Sequence, residues 1–88
     1  MIEDYKRNGR VVVAKSYLED LFKRTKKKIC ELNYYKGDSK ALKFINSLHD
    51  KMDAIEQADN ADADYVGGLC DDIEVLITDS DNWIDDNL

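Results

Sequence analysis

Apolar positions recur along this chain with the three-to-four-residue spacing of helices that bury one face. Through the first third, Val11, Ala14, Leu18, Leu21, Phe22, Thr25, Ile29 and Leu32 fall on one side of a helical projection, and Lys23, Arg24, Lys26 and Lys27 on the other. This pattern predicts a first helix over about residues 11–34. Two local signals compete with it. Ser16-Tyr17-Leu18-Glu19 fits a capping box that would start the helix at Tyr17, and Asn8-Gly9 suits a tight hairpin joining residues 2–7 to 10–15. Three successive valines also suit a strand. Because Val11 and Ala14 continue the stripe in register, the longer helix is preferred, with residues 1–10 as a loose N-terminal arm or a short extra element.

Gly37 is expected to end this helix in the left-handed conformation, and Asp38 or Ser39 to cap the next. The second helix, about residues 39–58, carries Ala41, Ile45, Leu48, Met52 and Ile55 on one stripe with Phe44 at its edge. Asp59 to Asp64 loses the apolar rhythm and reads as a connection. The third helix falls within about residues 64–87, with Val66, Cys70, Ile73, Ile77 and Ile84 on one face, Leu69 and Leu76 beside them, and Trp83 on the flank. Gly67 and Gly68 cost about 1 kcal/mol each in a helix interior, so either the regular helix begins after them or another backbone approaches there. A shared core is expected from Leu18, Leu21, Phe22, Ile29, Ile45, Leu48, Met52, Leu69, Ile73 and Ile77. The fold class is therefore mainly α: a three-helix, up-down-up bundle filling residues 1–88 as one domain.

Composition narrows the function classes. With 88 residues the chain has room for one modest core and no deep cleft. Hydrophobic content of 43% argues against wholesale disorder despite 36% charged residues. No apolar run is long enough to span a membrane and the first residues lack a signal-peptide stretch, so a cytoplasmic location with no membrane contact is expected. Cys30 and Cys70 have neither CxxC spacing nor a histidine cluster, and both read as free buried thiols.

Charge changes the picture most. All thirteen Lys and Arg lie between Lys6 and Lys51 with seven acids, a net +6, whereas Met52 to Leu88 holds twelve acids and no base, a net −12. Such asymmetry points to electrostatic recognition. On the third helix Asp72, Asp79 and Asp86 recur every seven residues, as do Asp64, Asp71 and Asp85 with Thr78 in the gap, forming an outward acidic ridge.

Motifs for chemistry fail on spacing. Asp62, Asp64 and Gly67 match three calcium-loop positions, but Val66 and Ile73 stand where oxygen ligands are needed. Asp79-Ser80-Asp81 fails in the same way at Trp83. His49, the single histidine, borders the second apolar stripe and reads as core-flanking, so no nucleophile has its usual base. Gly67-Gly68 is not a phosphate loop, because no lysine follows. The expectation is a protein that is not an enzyme and needs no cofactor or metal.

The reading that follows is a small acidic protein-binding module, an inhibitor or adaptor. Its ridge residues Asp64, Asp71, Asp72, Asp79, Asp85 and Asp86, with Trp83, would engage a basic, nucleic-acid-handling partner surface. Carboxylates one or two helical turns apart are spaced by roughly 6 or 10.5 Å, which overlaps the separation of phosphates along a strand. In size, charge and style the chain is similar to DNA-mimic inhibitors of phages and mobile elements, including some anti-CRISPR and anti-restriction proteins, although no residue motif carries that resemblance. An alternative is nucleic-acid association through Lys23, Arg24, Lys26, Lys27 and Lys28, which the net charge of −6 opposes. A third is a structural role, in which opposite charges at the two ends of one chain permit homo-oligomers or filaments.

Overall fold

The computed structural model describes residues 2–87. Its elements are two short strands, β1 (Tyr5–Arg7) and β2 (Arg10–Val13), followed by three helices, α1 (Lys15–Asn33), α2 (Ser39–Gln57) and α3 (Ala63–Asp86). Every position of the expected second stripe, Ala41, Ile45, Leu48, Met52 and Ile55, is buried. So are Leu18, Leu21, Phe22, Ile29, Leu69 and Ile73, whereas Ile77 packs against the cluster only partly buried. Cross-helix pairs set the directions. Arg24 and Lys28 of α1 meet Glu74 and Asp81 of α3 in the same order, so those helices run parallel. Phe44 and Lys51 of α2 meet Trp83 and Asp72 of α3 in the reverse order, so α2 runs against them. The result is an elongated three-helix, up-down-up bundle of 46 × 19 × 16 Å.

Two hydroxyls sit on the buried faces without breaking the core. Thr25 donates to the Leu21 carbonyl and Ser80 to the Leu76 carbonyl, each at 2.7 Å. This bond to the preceding turn satisfies a hydroxyl that burial would otherwise strip of water.

The chain's first segment forms the short extra element, as the hairpin that Asn8-Gly9 suits, and departs from the preferred long helix and from a loose arm. Residues 5–13 form an antiparallel hairpin, and α1 starts only at Lys15; Met1 of the expected arm lies outside the described residues. Asn8 (φ 55°) and Gly9 (φ 78°) both adopt the left-handed conformation that a two-residue hairpin turn demands. The register slips between the pairs Lys6↔Val11 and Tyr5↔Val13, so Val12 is bulged out of the ladder. Tertiary burial decides the outcome. Extended backbone lets Tyr5 and Val13 both reach the core, and the Tyr5 hydroxyl donates to the Ile55 carbonyl at 3.0 Å. A helix over the same residues would forfeit that anchor.

Helix ends follow the same logic. The competing capping box at Ser16 is not used, because Ala14 occupies the cap position and Asp4 accepts the Lys15 N–H from outside the helix at 2.6 Å. Asp38 caps α2 by accepting the Lys40 N–H at 2.8 Å. Gly37 is not left-handed, since Asn8 and Gly9 alone have positive φ among the described residues. Instead, right-handed turns carry the chain from α1, and the Asp38 N–H closes on the Tyr35 carbonyl at 2.8 Å. Gly67 and Gly68 lie inside α3, which neither starts after them nor is crowded by a backbone. A Cβ at Gly67 would stand 3.9 Å from the Val13 side chain, and one at Gly68 would meet nothing.

Candidate functional site

Eight of the twelve acids of the C-terminal half lie on α3, and they divide by azimuth around it and by what the bundle places opposite them. On the flank toward α1, Glu74 accepts from the Arg24 guanidinium at 2.6 Å and from the Tyr17 hydroxyl at 2.8 Å. Two turns along the same flank, Asp81 takes the Lys28 ammonium, which also reaches Glu31 at 2.8 Å. On the flank toward α2, Asp72 meets Lys51 at 3.2 Å. At the start of α3, Asp64 holds Arg7 of β1 at 3.1 Å. Asp64 and Asp72, both expected on the free ridge, are therefore already paired within the fold.

The pairs differ in strength. Arg7–Asp64 is well exposed on both sides, so solvent and salt leave it little net effect. The Lys28 side chain is only 10% exposed, with its methylenes covered and its charge delivered to two carboxylates. Burial lowers the affinity of Lys28 for its proton, but the hydrogen bonds it donates to Asp81 and Glu31 outweigh this and leave it raised. The Arg24 hydrogen bond holds Glu74 below its ordinary value. Burial, reinforced by the bond to Glu74, pushes the Tyr17 hydroxyl up to about 12.

What remains outward on α3 is Asp71, Asp79, Asp85 and Asp86. All four are exposed and have no cation within ion-pair distance among the described residues. Asp79 and Asp86 share a line about 10.5 Å apart along the axis. Val75, exposed between them and Asp71, adds an apolar point to this face. Asp85 and Asp86 close the last turn of α3, where no basic residue accompanies them and the helix dipole opposes negative charge.

Trp83 turns the other way. Its ring is partly buried, edge-on to Tyr35 at 5.6 Å and tilted against Phe44 at 6.3 Å, closing one end of the bundle. It packs the fold and does not stand on the acidic face.

The basic set splits as well. Lys23, Lys26 and Lys27 are exposed, whereas Arg24 and Lys28 are drawn into the α1–α3 contact. Cys30 is exposed and free, contrary to the expectation of a buried thiol; Cys70 is buried, and desolvation raises it to about 11. His49 is exposed on α2 and does not flank the core. The calcium-like spacing Asp62, Asp64, Gly67 falls across a helix cap and the first turns of α3, where a ligand loop has no room. Among the described residues no three His, Cys, Asp or Glu side chains converge on a point that would hold a metal ion, and no helix is long and apolar enough to cross a membrane.

Glu74, Tyr17 and the Arg7–Asp64 pair escaped the sequence reading, because their partners lie fifty or more residues away. The one local signal that reached this region was Asn8-Gly9, which places Arg7 over α3. The chain matches no protein-family profile, no curated protein and no solved structure.

Proposed function

We propose that this protein is a small protein-binding module, an inhibitor or adaptor, whose α3 presents carboxylates to a basic, nucleic-acid-handling surface of its partner. One observation carries the reading: Asp71, Asp79, Asp85 and Asp86 stay exposed and unpaired after the bundle has satisfied Asp64, Asp72, Glu74 and Asp81. Two of the four sit at the helix end where the dipole makes them unfavourable, so fold stability does not account for their placement. Desolvated against complementary lysines and arginines, such groups steer association and select the partner.

The test compares the immobilised wild-type chain with the variant Asp79→Asn, Asp85→Asn, Asp86→Asn in extracts of the native host at low and high salt. The wild type is expected to retain a basic nucleic-acid-handling protein at low salt, to release it at high salt, and to release it also to competing duplex DNA. The variant should fold normally and lose most of this capture. Equal retention by both chains at every ionic strength overturns the reading.

A second reading, direct nucleic-acid association, draws on the exposed and unpaired Lys23, Lys26 and Lys27 of α1. Retardation of duplex or single-stranded nucleic acid by the wild type at physiological salt, abolished by Lys26→Glu with Lys27→Glu, would favour it over the first.

A further inference from the structure

The two-stranded sheet leaves β2 with one edge paired to β1 and one edge open. In a hairpin with a two-residue turn, the flanking pair Arg7↔Arg10 exchanges its hydrogen bonds across the ladder, and the next pair, Lys6↔Val11, is widely spaced. The Val11 N–H and C=O therefore point away from β1, ready for a further strand. The side chains at this edge are apolar and open to water: Val11 is 51% exposed and Val12 46%. An exposed apolar edge is a template for pairing with another chain.

Beside this edge runs an open groove between β2 and α3, walled by Val12 and Val13 on one side and by Gly67, Gly68 and Asp71 on the other. The glycines leave α3 bare here, and a Cβ at Gly68 would meet no neighbour. Charge identifies what fits. Arg7 reaches Asp64 on α3, and Arg10, its cross-strand partner, rises from the same hairpin face. Arg10 is exposed at one end of β2 and Asp71 lies exposed by the other, each without an ion-pair partner among the described residues.

We infer that a second copy of this chain pairs antiparallel along the open edge of β2, forming a two-fold dimer with a continuous four-stranded sheet. With Val11 opposite Val11 of the second copy, Arg10 falls opposite Val12 of that copy, on the side of the groove where its Asp71 stands. The two-fold axis makes the same contact twice, as a self-complementary interface requires. Val11 and Val12 of both copies are covered together. This dimer uses the β2 edge together with Asp71, leaves Asp79, Asp85 and Asp86 of α3 uncovered, and does not depend on a foreign partner.

Sedimentation velocity of the intact chain, over concentrations reaching the millimolar range, tests it. The wild type is expected to show a reversible monomer–dimer equilibrium. Val11→Pro removes the outward N–H without touching the hairpin's own bonds, so it should abolish the dimer while the far-UV spectrum holds. Arg10→Glu and Asp71→Arg each reverse one partner of both pairs, and each should weaken association roughly tenfold or more. Combined in one chain they restore opposite charges and should restore the dimer. A monomer at every concentration overturns the inference, as does a dimer that survives Val11→Pro or ignores the charge reversals. Failure of the combined variant to recover association, with both single variants folded, overturns the Arg10–Asp71 register.

Discussion

Replacing Tyr5 measures how firmly the N-terminal hairpin belongs to the fold. The side chain is fully buried, and its hydroxyl donates to the Ile55 carbonyl near the end of α2. Tyr5→Phe deletes only that bond. The Ile55 carbonyl also accepts the Ala58 N–H at 3.2 Å, so it is not orphaned, and the expected loss is about 0.5–1 kcal/mol. Tyr5→Ala empties the ring's site beneath the hairpin and should cost about 3–5 kcal/mol. A domain of this length has a total stability of roughly 4–13 kcal/mol, so the alanine variant loses a large share of it. At about 4–8 °C per kcal/mol for a domain of this size, the phenylalanine variant should melt roughly 2–8 °C below wild type and the alanine variant at least about 12 °C below. Thermal unfolding followed by circular dichroism at the helix minimum provides the measurement. A Tyr5→Ala chain that melts with the wild type would mean that residues 2–13 hang free of the bundle, and the tertiary argument for the hairpin would collapse.

Three further outcomes follow from the α1–α3 contact and the thiols. Because Glu74 is held below its ordinary value by Arg24, its contribution is complete above the unfolded carboxylate range near about 4.3 and is lost as pH falls through the folded value. Glu74→Gln should flatten the acid limb of the stability–pH curve, and a curve of unchanged shape would refute the pairing. Lys28→Glu should sharply lower the melting temperature, since it buries a third acid beside Glu31 and Asp81, whereas Lys27→Glu on the solvent side should shift it little; equal effects would contradict the division of the basic set. Cys30 is exposed, whereas Cys70 is buried and raised to about 11, so mass spectrometry should find one thiol alkylated rapidly at neutral pH and the second only on unfolding.

The candidate site was legible in the sequence as a distribution, not as a set of side chains. That the acids crowd the last helix and the bases the first two follows from reading positions alone. Which carboxylates remain free does not, because it depends on the rotation of α3 against its neighbours. A step of seven residues nearly repeats an azimuth, so Asp72, Asp79 and Asp86 read as one line; yet Asp72 stands close enough to α2 for Lys51 to take it, while Asp79 and Asp86 face water. Lys28 likewise belongs to the basic run in sequence and to the edge of the core in space.

The helices were determined locally. Their stripes of Leu, Ile, Val and Met repeat at the helical period, and burial of such a stripe against any apolar neighbour favours the same backbone, so α2 and α3 could be placed within a residue or two and the bundle inferred. The N-terminal segment lacks that independence. Val11, Val12 and Val13 suit a strand as well as a helix, and Asn8-Gly9 favours a turn without requiring one. Only the assembled bundle provides the Ile55 carbonyl that receives the Tyr5 hydroxyl and the bare stretch of α3 that receives Val13. Where local preferences are nearly balanced, long-range burial decides, and here it chose the hairpin.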